Sequence, residues 1–285
     1  MYFLNINKPK GISSFDCIRI LRKKLGIKAI GHSGTLDPLA SGVMQIAVGS
    51  ATKLLDYLDS DKTYIADIEF GYISSTMDDE GEKTFISKPN FSKTKLKEVL
   101  DTFLGKTMQT PPKYSAIKEN GKKYCDVLRK NPNANVFPKQ REIYIYSIDL
   151  IDFNFNSAKI SVHCKKGTYI RSLVNDIGEK LGCGAYIKEL KRIKAGNFDI
   201  ENSQELESSE FIPINPLDVL NLVKYEINNE EYKRIMNGLS IQTTQKLSDS
   251  NILLTKNNKL VSLAYLSDNL EGNNIIKPKK NFKEV

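Results

Sequence analysis

Helical and strand patterns alternate irregularly along this chain, and their order limits the folds open to it. Residues 62–72 alternate in polarity, which predicts a strand with Tyr64 near its start. Residues 141–153 and 157–164 are rich in Ile, Tyr and Val around a short polar break, which predicts a hairpin. Apolar residues at helical spacing predict three helices, over residues 15–25, 96–104 and 170–181. A doubly wound parallel sheet needs regular strand and helix repeats, so we expect a mixed α+β fold.

The run from Gly31 to Met44, GHSGTLDPLASGVM, places a single aspartate, Asp37, inside a bent segment. Its glycines permit positive φ or close backbone approach, and Pro38 fixes φ directly after the carboxylate. The run therefore predicts a shaped loop that displays Asp37. An ordinary surface turn has a similar composition, because Gly, Ser, Asp and Pro are common turn residues.

The charge of the chain is segregated rather than spread evenly. The 285 residues carry a formal net charge of +8. Residues 105–141 hold nine basic and two acidic side chains, residues 159–196 hold nine and three, and residues 199–231 hold one and nine. A polyanion such as RNA is the natural partner of the two basic blocks, because each phosphate contact adds affinity. Solvated surface lysines are the alternative explanation of the same counts.

Composition and cysteine spacing disfavour several classes of protein. No apolar run approaches the roughly 20 residues of a membrane-spanning helix, and the segment MYFLNINKPKG lacks the pattern of a signal peptide. The four cysteines show no C-x-x-C spacing, and the chain has only two histidines. We therefore expect a cytoplasmic protein without structural zinc or disulfides. Its length suffices for one large core or two unequal domains.

Five sequence blocks follow one another in an order that is typical of one family. The Asp37 run is the most specific block. The other blocks are NKPKGISSFDCIRILRKKLG from Asn7, DKTYIADIEFG from Asp61, QTPPKYSAIKENGKKY from Gln109 and KKGTYIRSLVNDIGEKLGCGAYIKELKR from Lys165. In these blocks the chain resembles the bacterial tRNA pseudouridine synthase B (TruB) family, whose catalytic-aspartate motif reads G-H-x-G-T-L-D-P-x-A-x-G. The resemblance implies a mixed, largely antiparallel sheet with flanking helices.

The resemblance also implies a reaction, the isomerisation of the uridine at position 55 in the T-loop of tRNA to pseudouridine. By their places in the motifs, Asp37 is the expected nucleophile and Arg171 of G-T-Y-I-R is its partner. Tyr64 is expected to stack on the uracil and to handle a proton. A carboxylate is ionised at neutral pH and needs no activating base, and a guanidinium can hold it bidentately.

Three further residues match family positions that contact the substrate. Tyr169 lies beside Arg171 in sequence and is expected in the same pocket, and Leu190 of KELKR is expected to contact the base. His32 is expected to contact the flipped-out nucleotide. Base flipping costs a few kcal/mol, and stacking on an aromatic ring returns roughly 1 to 3 kcal/mol. We expect no metal and no cofactor, and a monomer that acts on the T-arm of tRNA without membrane contact.

The acidic stretch from Asp199 to Glu210 marks a predicted domain boundary. Residues 1–212 are expected to form the catalytic domain and residues 213–285 a small C-terminal domain. Short helices over 216–223 and 230–236, the strands ILLT and KLVSLAYL, and a basic tail KPKKNFKEV are expected in the second domain. The resemblance implies that it is a β-rich, PUA-like RNA-binding module in abbreviated form.

Two positions near the expected site depart from the family pattern. Ser75 stands where aspartate is usual, and Gln45 stands where proline is common. Both are expected to affect how neighbouring loops hold RNA. Two alternatives stay open, a pseudouridine synthase for another RNA and a non-catalytic RNA-binding or RNA-folding protein. An aspartyl-phosphate enzyme is disfavoured, because no second acidic residue is spaced in sequence to hold magnesium beside Asp37.

Overall fold

The chain forms two main β-sheets with helices packed against them. The computed structural model describes residues 1–115, 117–119, 121–131, 134–245, 247, 250–268 and 274–282. The helices are α1 (Ser14–Leu25), α2 (Lys93–Asp101), α3 (Tyr124–Lys130), α4 (Ile170–Leu181), α5 (Pro216–Val219) and α6 (Asn229–Met236), with 3-10 helices at Gly49–Tyr57 and Ile200–Asn202. Within the described residues, none of these helices combines the length and the apolar character that crossing a membrane requires.

The strands range in length from two to 14 residues. They are β1 (Tyr2–Lys8), β2 (Ile30–His32), β3 (Ser41–Val48), β4 (Lys62–Phe70), β5 (Tyr72–Ser74), β6 (Lys83–Phe85), β7 (Gly105–Gln109), β8 (Lys118–Glu119), β9 (Lys122–Lys123), β10 (Arg141–Asn154), β11 (Ser157–Cys164), β12 (Ala185–Ala195), β13 (Phe198–Asp199), β14 (Gln204–Glu205), β15 (Val223–Glu226), β16 (Ile241–Thr243), β17 (Asn251–Lys256), β18 (Lys259–Asp268) and β19 (Asn274–Asn281). Strands β5 and β6 pair with each other, as do β8 and β9.

The larger sheet has the strand order β14-β1-β3-β12-β4-β11-β10-β7, with β13 paired to β12 and β2 paired to β3. Among its described pairs, β1–β14 and β12–β3 are parallel and the rest are antiparallel. The expected α+β fold with a largely antiparallel sheet is therefore confirmed. Helices α1, α2 and α4 bury their apolar faces against this sheet and form the largest hydrophobic core.

Helix α1 shows why the predicted helices form where they do. Ser13 and Asp16 form a reciprocal capping box at its start, and Gly26 ends it in the left-handed region with φ 67°. Its buried face consists of Ser14, Cys17, Ile18 and Leu21. The predicted helix is confirmed, and its first turn is anchored next to the loop of Asp37.

Helix α2 ends earlier than the apolar spacing predicts. Its last helical residue is Asp101 rather than Leu104. The backbone N–H groups of Thr102, Phe103 and Leu104 each donate to the carbonyl three residues earlier, so the chain tightens into a final turn. The apolar side chain of Phe103 still reaches the core from this turn.

The predicted hairpin and the predicted alternating strand are both confirmed. Strands β10 and β11 pair antiparallel, and β11 continues onto β4. Every second residue of β4 is buried, namely Lys62, Tyr64, Ala66, Ile68 and Phe70. Strand β4 therefore presents Tyr64 and Lys62 on the same face.

The second sheet lies within residues 223–281 and has the order β15-β17-β18-β19-β16. Two predictions for this region are wrong. The helix near residue 216 ends at Val219 rather than near Val223, and Val223 is instead the first residue of β15. Much of the expected basic tail is strand β19, because its backbone pairs with β18 and β16 whatever its side chains are. The last three residues of that tail lie outside the described residues.

A shared apolar cluster joins the two sheets. Phe3, Val43 and Ala47 of the larger sheet belong to the same buried cluster as Leu253 and Leu263 of the smaller one. Full burial of such a side chain contributes roughly 1.5 to 3 kcal/mol. The smaller sheet therefore has a fixed position against the larger one.

Candidate active site

A cavity of about 730 Å³ opens beside the loop between β2 and β3. This volume is within the range of pockets that hold small organic ligands. All six residues singled out in the sequence line it, namely His32, Asp37, Tyr64, Tyr169, Arg171 and Leu190. The fold thus collects these residues from three separate sequence blocks around one space.

Hydrogen bonds on both sides hold the loop that carries Asp37. The Ser14 hydroxyl donates to the carbonyl of Leu36 (2.9 Å) and accepts from its N–H (2.8 Å). The Pro38 carbonyl accepts from the N–H of Gly11 at 2.8 Å. The Asp37 side chain nevertheless remains 37% exposed. The carboxylate is therefore both held in position and accessible from the cavity.

Arg171 lies in the first turn of α4 and is the direct partner of Asp37. Its Nη2 is 2.8 Å from Asp37 Oδ2, although the arginine side chain itself is only 5% exposed. The same guanidinium donates to the carbonyls of Tyr114 (2.9 Å) and Thr76 (3.1 Å). A planar fork with several fixed donors suits this arrangement, whereas the point charge of a lysine does not.

Asp78 is a second carboxylate at this guanidinium, and the sequence did not identify it as a site residue. Its Oδ2 lies 3.4 Å from Arg171 Nη1, and its side chain is 4% exposed. It also accepts from the Thr76 hydroxyl and from the Glu80 N–H. One cation thus contacts two carboxylates, of which Asp37 is the more exposed. Within the described residues, no group of three or more His, Cys, Asp or Glu side chains is arranged to hold a metal ion.

Tyr64 is a buried phenol on the floor of the cavity. Burial raises the pKa of its hydroxyl, and the nearby positive charge of Arg192 partly opposes that shift. The hydroxyl is therefore protonated at neutral pH. Arg192 pairs with Tyr64 in the register of β12 against β4.

Arg192 also ties together the two ends of the Asp37 loop, a role that the sequence did not indicate. It is fully buried, and its Nε donates to the Val43 carbonyl at 2.8 Å. Its Nη2 donates to the Gly34 carbonyl at 3.2 Å. Gly34 precedes Asp37 and Val43 follows it, so one guanidinium holds the loop on both sides.

The three expected substrate contacts lie on different walls. Tyr169 precedes α4, where its N–H donates to Gln109 Oε1 (2.9 Å) and its carbonyl accepts from Gln109 Nε2 (3.0 Å). Burial raises the pKa of the Tyr169 hydroxyl. Leu190 pairs with Ala66 on the floor, and His32 ends β2 at the edge of the cavity.

The two departures from the family pattern are accommodated by internal hydrogen bonds. Gln45 is buried in β3, and its Nε2 donates to the Ala195 carbonyl at 2.9 Å. The Ser75 hydroxyl accepts from the Glu82 N–H at 3.1 Å. Neither side chain lines the cavity. An effect on RNA binding stays a prediction for both.

Two family models together match most of the larger sheet. The model described as TruB family pseudouridylate synthase (N terminal domain) matches residues 22–170, which is more than half of the chain. The model described as tRNA pseudouridylate synthase B C-terminal domain matches residues 171–211.

Curated relatives and a solved structure agree with these matches. The tRNA pseudouridine synthase B of Clostridium kluyveri is 41% identical over 260 residues, with 86% of each chain covered. That of Thermosipho melanesiensis is 38% identical with 100% of both chains covered. A chain in the structure of an H/ACA RNP bound to a substrate RNA containing 2′-deoxyuridine has the same fold, with a TM-score of 0.74, 20% identity, and coverage of 99% of this chain and 85% of that chain. This protein therefore belongs to the TruB family of pseudouridylate synthases, and it is an enzyme of that family.

Proposed function

We propose that this enzyme converts the uridine at position 55 in the T-loop of tRNA to pseudouridine, with Asp37 as the nucleophile. The relatives named tRNA pseudouridine synthase B support tRNA as the substrate. The observation that carries the proposed chemistry is the accessible Asp37 carboxylate, 2.8 Å from the buried Arg171 guanidinium in a cavity that Tyr64 also lines.

The reaction breaks the N1–C1′ bond of the nucleotide and forms a C5–C1′ bond. The proton on C5 is lost, and N1 gains one, so the atoms balance without an oxidant or reductant. In this scheme Asp37 attacks the nucleotide, at C1′ of the sugar or C6 of the base, and is released when the new bond is complete. Because its loop is held on both sides, the carboxylate meets the substrate with little reorganisation.

Arg171 has two tasks in this scheme. It orients Asp37 and offsets its charge, because a guanidinium donates to a carboxylate in fixed directions. It also holds Asp78, the buried carboxylate that fixes the guanidinium from the other side. Arg171 is therefore the partner of the nucleophile, and Asp78 is a positioning residue.

Tyr64 stacks on the flipped-out uracil and takes part in moving the C5 proton. Its raised pKa keeps the hydroxyl protonated at neutral pH, so it can donate a hydrogen bond to the substrate. Leu190 and Tyr169 exclude water from the base, and His32 contacts the nucleotide at the edge of the cavity. These roles are supported by the shared cavity of the four side chains.

The smaller sheet is proposed to extend the RNA-binding surface as a PUA-like module, with the domain boundary near residue 212. Strand β19 carries Lys279 and Lys280, which lie 5.3 Å and 5.5 Å from the ring centre of Tyr57. Tyr57 belongs to the 3-10 helix whose residues Leu55 and Asp56 line the cavity. A basic strand thus lies next to the proposed active site. The residues that line this site all belong to one chain, which supports a monomer.

Nucleotide-resolution mapping of pseudouridine in a complete tRNA transcript tests this function. Incubation with the purified enzyme should give one pseudouridine, at position 55, and a transcript with cytidine there should give none. Pseudouridine at other positions only would favour a synthase for another RNA. Tight binding without any pseudouridine would favour the non-catalytic RNA-binding role.

A further inference from the structure

Lys62 is a buried cation at the cavity that the proposed chemistry does not use. Its side chain is 9% exposed and lines the cavity on the same face of β4 as Tyr64. Its Nζ donates to the Ser60 carbonyl at 2.7 Å. An ammonium has three donors, so this bond leaves most of its capacity unused.

A second buried cation, Arg192, lies next to Lys62. A Cβ added at Gly34 would lie 3.0 Å from Lys62 Cε and 3.7 Å from Arg192 Nη1. The two cationic side chains therefore approach each other beside Gly34. Among the ion pairs of the described residues, none involves Lys62 or Arg192. Burying two charges without a paired anion is costly, unless a ligand supplies that anion.

Another buried lysine, Lys8, shows how this chain satisfies an ammonium internally. Lys8 is fully buried, and its Nζ donates to the carbonyls of Pro9 (2.9 Å) and Ile12 (2.7 Å). Lys62 has one such carbonyl and otherwise borders the cavity, where the exposed Lys166 also lies. Lys62 is therefore placed to meet a ligand, whereas Lys8 is placed to shape its own loop.

We propose that Lys62 binds a phosphodiester group adjacent to the target uridine, with Lys166 at the entrance and Arg192 behind it. This inference rests on the proposed function, because the RNA supplies the anion. A phosphate fits the site chemically, since it accepts hydrogen bonds and offsets the charge of both buried cations. A polynucleotide whose base enters the Tyr64 pocket carries such a group on each side of that base.

The lowered pKa of the Lys62 ammonium is consistent with a phosphate site. Burial, the neighbouring Arg192 and, more weakly, Lys166 lower the pKa of its ammonium to about 8, against smaller opposing effects of Cys164 and Asp61. Burial raises the pKa of the Cys164 thiol to about 11, and that of the Tyr64 hydroxyl also rises, so both groups are neutral near pH 8. A bound phosphate would hold the proton on Lys62.

The test measures hairpin affinity with uncharged linkages in the RNA. T-arm hairpins carry a methylphosphonate at the linkage on the 5′ or the 3′ side of the target uridine, or none. They are bound to the enzyme, to Lys62→Met and to Lys62→Arg. The matched control is Lys97→Met, which replaces an exposed lysine on α2. Thermal unfolding of each variant shows that it is folded.

For the unmodified enzyme, one of the two methylphosphonates should weaken binding by roughly 30-fold, the effect expected for one lost buried charge contact. Lys62→Met should lose a similar factor on the native hairpin and nothing more on that modified hairpin. Lys97→Met should respond to the linkage as the unmodified enzyme does. If Lys62→Met bound more weakly than the unmodified enzyme by the same factor on the native and on the modified hairpin, the phosphate site would be overturned.

Lys62→Arg gives a second, independent readout that does not require Lys62→Met to fold. Affinity of the unmodified enzyme should fall as pH rises from 7 to 9.5, whereas Lys62→Arg should keep its affinity because arginine stays protonated. Identical pH profiles would count against the site. Tritium release from a native hairpin is measured in parallel: its absence would contradict the proposed function, whereas release without any linkage effect would remove the phosphate site alone.

Discussion

Arg171 contacts Asp37 at 2.8 Å while its own side chain stays buried. The exposed end of this pair is the carboxylate, and the buried end is the guanidinium, which Asp78 also contacts at 3.4 Å. The geometry places the negative charge at the accessible cavity and the positive charge where water is excluded. In the proposed mechanism, Asp37 relies on a fixed arginine rather than on a neighbouring base.

Replacement of Arg171 by lysine tests that dependence. Lysine keeps the charge but cannot contact both carboxylates and the carbonyls of Thr76 and Tyr114 together. We expect kcat to fall by about 100-fold, the typical effect of misplacing a catalytic group by about 1 Å. Single-turnover kinetics on a T-arm hairpin measure this effect.

The control for that substitution is Arg19→Lys, on the exposed face of α1. Arg19 pairs with Asp16 at 2.9 Å, and its side chain is 73% exposed. The same exchange there should leave kcat within about twofold of the unmodified enzyme. A normal rate for Arg171→Lys would show that the charge alone suffices and that the fork geometry is dispensable.

Two substitutions separate the role of the Tyr64 ring from that of its hydroxyl. Tyr64→Phe keeps the stacking surface and should lower kcat by about 100-fold to 10,000-fold, the usual contribution of a positioned proton-transfer group. Hairpin affinity should change little. Tyr64→Leu removes the ring as well and should also cost roughly 1 to 3 kcal/mol of binding free energy. Equal rates for Tyr64→Phe and the unmodified enzyme would exclude a role for the hydroxyl in proton transfer.

Gly42 tests the close approach of β3 to Arg192. Its φ is 107°, and an added Cβ would lie 2.1 Å from the Arg192 carbonyl oxygen. Gly42→Ala should therefore lower the free energy of unfolding by about 2 to 4 kcal/mol, from backbone strain and a forced strand shift. Chemical denaturation measures this change.

Gly11→Ala is the matched control for Gly42→Ala. Gly11 also has positive φ, 93°, but an added Cβ meets nothing within 4 Å. Its substitution should cost only the backbone strain, about 1 kcal/mol. If both variants lost the same stability, the approach of Arg192 to Gly42 would not matter to the fold.

Lys62 makes stability depend on pH in a defined direction. Its pKa is about 8 in the folded protein, against an ordinary value of 10.5. Between these values the unfolded chain binds more protons, so the contribution of Lys62 to stability rises with pH. The free energy of unfolding of the enzyme relative to Lys62→Met should increase by an amount on the order of 2 kcal/mol from pH 8 to pH 10.5. Denaturation at several pH values measures it, and a constant difference would contradict the lowered pKa.

Local sequence signals predicted the parts of the fold that depend on near neighbours. The capping box of Ser13 and Asp16 with Gly26 determines α1, and strict alternation determines β4. Strand β19 was missed, because the five charged residues of KPKKNFKEV resemble a solvated tail. It is a strand because its backbone pairs with β18, the preceding strand, and with the more distant β16.

The site residues also divide into those that local motifs predict and those that long-range contacts define. The motifs identified Asp37, Arg171 and Tyr64, and the structure places all three on one cavity. Asp78 and Arg192 were missed because their importance comes from contacts with residues far away in sequence. One signal for Lys62 was present, since a lysine at a buried position of an alternating strand, two residues before Tyr64, needs an explanation.

Release of tritium from a hairpin labelled with [5-³H]uridine tests the central assignment of Asp37 most directly. The enzyme should release tritium, and Asp37→Asn should release none while it still binds the hairpin. Asp56→Asn is the matched control, because Asp56 lines the same cavity without contacting Arg171 in the described ion pairs. It should release tritium at a rate close to that of the unmodified enzyme. Undiminished release from Asp37→Asn would contradict the assignment of Asp37 as the nucleophile.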